Sequence, residues 1–179
     1  MRRSIRNSRN KLKILNVFIV AIGILAIVAT VNPATAKQAN EPSYEAKVVG
    51  ITDGDTIKVL TDTKEQVKIR IYGIDAPEKK QAFGFKAKDF LSSLIFGCAV
   101  TVKPTGRDIY GRTIARIYHA DRDVGLAMIE CGYAWWYQQY AKKDVDYKRA
   151  QERAKKQQLG LWADSNPIEP SKFRKHKGE

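Results

Sequence analysis

From Ala46 onward, apolar and polar positions alternate in short runs separated by turn residues. Ala46 to Ile51 and Thr56 to Thr61 are two such runs, and the Asp53-Gly54 pair between them is a hairpin signal. Val67 to Ile74 is a third, entered through the polar turn Asp62-Thr63-Lys64. In it Val67, Ile69 and Ile71 share one face, while Lys68, Arg70 and Tyr72 share the other. Arg70 therefore points away from the apolar row. After Pro77 the period lengthens, because Phe83, Ala87, Phe90, Leu91 and Leu94 recur at helical spacing as far as Gly97. Ala99 to Lys103 and Thr113 to His119 read as a fourth and a fifth strand, with 104–111 as the loop between them. Val124 to Cys131 predicts a short helix ending at Gly132. A last helix is expected over 144–159, with Tyr147, Ala150 and Ala154 on its buried side, Gly160 as its cap and Leu161-Trp162 folding back onto the body. The remainder holds two prolines and a basic run from Lys172 to Lys177, and is expected to be extended or loose.

Five short strands with a helix between the third and fourth, followed by two more helices, fit the α+β class. The architecture expected is a five-stranded OB-type β-barrel with three helices. No internal repeat is present. A length of 179 residues suits one domain with extensions. The division expected is an N-terminal segment 1–36, a polar linker 37–43, a folded domain 44–163 and a basic tail 164–179.

The first segment has the pattern of an export signal. Six basic residues and no acids stand in 1–36, the last of them Lys13, and an apolar run from Ile14 to Val31 follows. Pro33 and Ala34-Thr35-Ala36 then supply a small-x-small cleavage pattern, giving a signal peptide cut after Ala36. The apolar run of about 18 residues also reaches the lower limit for spanning a bilayer, so an uncleaved membrane anchor is the competing reading. Either way the body is exported (secreted, periplasmic or extracellular), and membrane association follows only if the segment is retained.

Charge narrows the partners. The whole chain carries 32 Lys plus Arg against 19 Asp plus Glu, a formal +13; without residues 1–36, 26 against 19 leaves +7. A basic body favours polyanions, and equally favours simple solubility. Cys98 and Cys131 are compatible with a disulfide in an exported chain or with two separate thiols. Two cysteines and two scattered histidines, His119 and His176, do not make a zinc site.

Three stretches carry the candidate chemistry: Asp53-Gly54-Asp55-Thr56, then Arg70 leading to Asp75-Ala76-Pro77-Glu78, then Asp108-Ile109-Tyr110-Gly111-Arg112. Asp55 begins a strand and Asp75 ends one, and strand ends in a small barrel converge. Oxygen-only ligands suit a hard cation. Arginine offers a planar fork of donors that fits the oxygens of a phosphoryl group. Taken singly, the first stretch reads as a hairpin turn, the second as a strand exit into a helix, and each arginine as a surface charge. Taken together they are the parts of a metal-dependent phosphodiesterase.

With Gly132-Tyr133-Ala134, Ala154 and Gly160-Leu161-Trp162 added, the stretch from Val48 to Trp162 resembles the staphylococcal-nuclease-like thermonucleases. The resemblance implies an OB-barrel nuclease that needs Ca²⁺ and hydrolyses DNA and RNA, acting as endonuclease and exonuclease, working as a monomer and leaving 3′-phosphate ends. By position it implies Asp55 and Asp75 as carboxylate ligands of the cation, with Ala76 adding its main-chain carbonyl. It implies Glu78 as the residue that orients or deprotonates the attacking water, with Arg70 and Arg112 on the phosphate. Tyr110 would lie against the nucleotide, with Tyr137 or Tyr140 lining the pocket. Two departures stand out: a shorter segment between Glu78 and the first helix, and Ile109 where the best-known member has lysine. The rival expectation is a non-catalytic OB-fold domain that binds nucleic acid or captures DNA at the cell surface. Such modules usually lack an acid or an arginine that this chain retains.

Overall fold

A computed structural model describes residues 42–176; the expected export segment lies outside them. Among the described residues, eight strands, four helices and a 3₁₀ turn surround a main core and a smaller one around Ala154, Leu161 and Trp162. Strand β1 (Tyr44–Asp53) pairs antiparallel with β2 (Thr56–Thr61), which pairs with β3 (Gln66–Ile71). A two-residue strand β4 (Ile74–Asp75) leads through Pro77 to helix α1 (Gly84–Ile95). Strand β5 (Ala99–Arg107) pairs with β1 on one side and β6 (Thr113–His119) on the other. The short β7 (Arg122–Asp123) turns into helix α2 (Val124–Glu130), whose first turn is capped by the Asp123 carboxylate accepting from the Leu126 N–H at 3.0 Å. Strand β8 (Trp135–Trp136) precedes helix α3 (Val145–Lys156) and a 3₁₀ turn at Gly160–Ala163. Helix α4 (Pro170–His176) completes the described chain.

The barrel closes by a parallel pairing of β3 with β6, in which Arg70 lies opposite Ile114 and Ile71 opposite Ala115. The strand alternation explains the interior: Val48, Ile57, Val59, Ile69, Ile71, Val100, Val102 and Ile117 are all essentially inaccessible to water. Helix α1 adds Ala87, Leu91 and Ile95, and α2 adds Met128 and Ile129. Tyr147, Ala150 and Ala154 of α3 are buried, as their spacing predicts. Cys98 and Cys131 are separate, partly buried free thiols. Among the described residues no helix is long and apolar enough to cross a membrane.

The architecture is the expected α+β barrel with helices, and three details differ from the sequence reading. The third strand stops at Ile71, and Ile74–Asp75 pair instead with Trp136 and Trp135. Strand β5 runs on through Pro104 to Arg107 where a loop was expected. Its pairing with β1 ends at Val102, so the missing N–H of Pro104 faces no partner strand on that side. The tail is not loose throughout, because Pro170–His176 forms a fourth helix. Pro170 is buried at its first position, the Glu169 carbonyl accepts from the Lys172 and Phe173 N–H groups, and the Ile168 carbonyl accepts from the Gln81 side chain at 2.6 Å.

Candidate active site

Barrel closure brings the three motifs to one rim. Thr56 is paired with Arg70 across β2 and β3, and the Ile71 N–H donates to the Asp55 carbonyl at 2.8 Å, so Asp55 sits beside Arg70. The parallel β3–β6 pairing sets Arg70 next to the start of β6, where the 108–112 loop ends. Strand β4 carries Asp75 against β8, and the Tyr137 N–H donates to the Gly73 carbonyl at 2.9 Å. The aromatic segment after β8 is thereby tied to the same rim.

Two glycines allow the close approach. A Cβ on Gly54 would stand 2.6 Å from the Ala76 Cβ and 2.9 Å from that of Ala87, so only glycine lets the Asp53–Asp55 turn press onto the Asp75–Glu78 segment. A Cβ on Gly84 would stand 2.0 Å from the Glu78 carbonyl oxygen, so α1 can begin directly against the Glu78 turn. That turn is held further by Gln81: its side-chain oxygen accepts from the Glu78 N–H at 3.1 Å, and its own N–H donates to the Glu78 carbonyl at 2.8 Å.

The acids and arginines interlock. Arg70 donates through Nη2 to Asp75 Oδ1 at 3.0 Å and forms an ion pair through Nη1 with Asp55 Oδ2. That Nη1 is buried and has no acceptor in hydrogen-bond alignment, so the pair is electrostatic contact without a satisfied donor. Asp55 also accepts from the Ala76 N–H at 2.9 Å and from the Thr56 hydroxyl at 3.0 Å. Burial, and then the neighbouring Asp55 charge, push the Asp53 carboxyl up to about 6. Burial also raises Asp75, which the Arg174 hydrogen bonds oppose. On the 108–112 loop Asp108 accepts from the Tyr110 and Arg112 N–H groups, both at 2.9 Å, and from Arg112 Nε at 2.6 Å. Burial alone would raise the Asp108 carboxyl; the Arg112 contacts outweigh it and hold the group below its ordinary value.

These residues surround a cavity of about 580 Å³. Asp55, Arg70, Ala76, Glu78, Tyr110, Arg112, Tyr137 and Tyr140 all line it, as does Asp53. Asp75 does not line it but is joined to it through Arg70 and Arg174. Tyr110 is 79% exposed with Arg112 5.7 Å from its ring centre, and Ile109 is 91% exposed at the rim. Among the described residues, no three acidic, histidine or cysteine side chains form a preassembled ligand cluster. The donor chemistry nevertheless fits a hard cation. Asp55 and Asp75 are buried oxygen donors on a common rim, and each is ion-paired to a positively charged guanidinium group.

Arg174 was not foreseen. From α4 it donates through Nη1 to Asp75 Oδ1 at 3.1 Å and Glu78 Oε1 at 2.7 Å, and through Nη2 to Asp75 Oδ2 at 3.0 Å. Ninety-nine positions separate it from Asp75. The one local signal was Pro170 at a helix start, which marks the helix and not its destination.

The model for the staphylococcal nuclease homologue family matches residues 68–164, more than half of the chain. The chain belongs to that family. An uncharacterized endonuclease of Haemophilus influenzae is 42% identical over 84% of this chain and 82% of its own length. A micrococcal nuclease of Shigella flexneri is 36% identical over 87% of this chain and 90% of its own. The staphylococcal-like nuclease CAN1 of Arabidopsis thaliana is 35% identical over 63% of this chain, which corresponds to 35% of that larger protein. The matched family region ends before α4, so Arg174 reaches this staphylococcal-nuclease-type rim from outside it.

Proposed function

We propose that the chain is a Ca²⁺-dependent nuclease that hydrolyses DNA and RNA and leaves 3′-phosphate ends. The observation that carries this reading is the convergence on one cavity of a partly exposed carboxylate, Glu78, with two arginines and a buried aspartate set. Asp55, Asp75 and the Ala76 carbonyl would hold the cation, which supplies Lewis-acid polarisation of the phosphoryl oxygens when bound. Glu78 takes a proton from the attacking water. Arg70 and Arg112 spread their donors over the phosphoryl oxygens as negative charge builds there. Tyr110, Tyr137 and Tyr140 give the nucleotide apolar faces to lie against. The water oxygen bonds to phosphorus, the P–O5′ bond breaks, and the 5′ oxygen takes up a proton from solvent, leaving a 5′-hydroxyl and the phosphate on the 3′ side. Residues 1–36 support export of the enzyme, as a cleaved signal peptide or a retained anchor.

The test is incubation with single- and double-stranded DNA and RNA, with Ca²⁺ or with chelator, followed by end-group analysis. Cleavage with Ca²⁺ that stops in chelator and leaves 3′-phosphates is expected. Binding without cleavage would establish the non-catalytic reading, and equal cleavage in chelator would remove the cation.

A further inference from the structure

Two guanidinium groups of different standing hold Asp75. Arg70 reaches Oδ1 from the paired strand β3, is only 15% exposed, and is ion-paired to Asp55 as well. Arg174 comes from α4 and is 42% exposed. Its Nη1 bridges Asp75 Oδ1 at 3.1 Å and Glu78 Oε1 at 2.7 Å, and its Nη2 takes Asp75 Oδ2 at 3.0 Å. A carboxylate offers about four acceptor positions. Arg70 fills one on Oδ1, while Arg174 fills a second there and one on Oδ2. A cation reaching Asp75 past Arg174 would also stand against a permanent positive charge in a partly dehydrated site, where like charges repel strongly.

Of the two groups, Arg174 is the one that can yield. Arg70 is fixed by strand pairing on both sides, to β2 and to β6. Arg174 rides on a seven-residue helix, and its exposed guanidinium regains water readily when it leaves. The other holds on α4 are the buried Pro170 and the Gln81 side chain, which donates to the Ile168 carbonyl at 2.6 Å. The same Gln81 accepts from the Glu78 N–H, so α4 docks on the turn that carries the proposed base. We infer that Arg174 is an internal competitor for the cation. Docked α4 lays its guanidinium across Asp75 and Glu78, and a cation binds Asp75 only by displacing it. Helix α4 is then a latch that weakens cation binding and loosens when the cation binds. The inference rests on the nuclease reading above and adds a means of regulating that site; the latch lies beyond residue 164, where the family match ends.

Calorimetric titration of Ca²⁺ into the full-length protein, Arg174→Ala, Arg174→Lys and Lys172→Ala tests it. Arg174→Ala should tighten binding by about tenfold or more, as expected when a charge-assisted hydrogen bond no longer has to be broken. Arg174→Lys keeps the charge without the planar fork, and its affinity should fall between the two. Lys172→Ala removes the same charge from an exposed position on the same helix that lines neither cavity, and should stay within about twofold because solvent screens it. Coupling is reciprocal, so Ca²⁺ should also speed amide hydrogen exchange in 170–176 of the unaltered protein, and not in Arg174→Ala. Equal or weaker binding by a folded Arg174→Ala would overturn the latch. A matching gain in Lys172→Ala would do the same, as would exchange in α4 that Ca²⁺ slows or leaves unchanged. Should Arg174→Ala fail to fold, Arg174→Lys decides, and no gain in its affinity overturns the latch. In each of these cases the unaltered protein still binds Ca²⁺ and the nuclease reading stands. No Ca²⁺ binding by either the unaltered protein or Arg174→Ala would overturn the Ca²⁺-dependent reading and the latch with it.

Discussion

Arg70 and Arg116 each bind two aspartates, yet the two clusters differ in every way that separates a reactive site from a structural one. Arg116 on β6 pairs with Asp123 at 2.9 Å and with Asp144. Asp123 caps α2 and accepts from the Tyr147 hydroxyl at 2.9 Å, while Asp144 accepts from the Tyr72 hydroxyl at 2.9 Å. The guanidinium lies over the rings of Tyr72 and Tyr147 at 4.6 and 5.1 Å. The donors and acceptors of this cluster serve one another, and it ties β6 to the starts of α2 and α3. Around Arg70 the balance is incomplete: one buried donor lacks alignment, Asp53 is pushed up to about 6, and the partners open onto a cavity. Identical residue types thus give a closed network in one place and an open one in the other. Closure converts charge into rigidity, whereas incomplete satisfaction leaves binding capacity for a ligand.

The largest effect should separate the two clusters in rate. Glu78→Gln is expected to lose at least about a hundredfold in kcat, within the usual 10²–10⁴ of general-base catalysis, with little change in Tm. A rate within a few-fold of the unaltered protein would take Glu78 out of that role. The complementary substitution, Arg116→Met, should cost about 2–3 kcal/mol in urea unfolding, since it leaves two carboxylates without their guanidinium, discounted from the deeply buried case for partial exposure. Its activity per folded molecule should hold; an unstable and inactive protein that regains no rate when refolded with ligand would place Arg116 in the reaction. Smaller again, Tyr147→Phe removes a hydroxyl that donates to Asp123 and should cost about 1 kcal/mol with kcat unchanged. An unaltered unfolding midpoint would show that the network closes without it.

What could be read from the chain follows the range of each interaction. Alternation gave β2, β3 and β6 their faces, because burial of Ile57, Ile69 and Ile117 is a local consequence of strand geometry. Helical spacing marked α1 and α3 for the same reason. The acid and arginine motifs were legible because each is a short contiguous stretch, with Gly54 inside the first, and the barrel rim gathers their strands. Two of the features that escaped show why. Strand β5 continues through Pro104 because only one neighbour remains there, a fact about sheet order and not about proline. Helix α4 has too little apolar periodicity to announce itself, and it is held by Pro170, the Gln81 contact and the reach of Arg174 to Asp75. Such contacts across the whole chain leave no mark on neighbouring positions.

Calorimetric titration of Ca²⁺ into the unaltered protein, Asp75→Asn and Asp144→Asn sets the open cluster directly against the closed one. Binding by the unaltered protein and by Asp144→Asn, and its loss in Asp75→Asn, is the expected result. Binding that survives in Asp75→Asn, or that disappears only in Asp144→Asn, would contradict the placement of the cation and of the reaction at the Arg70 rim.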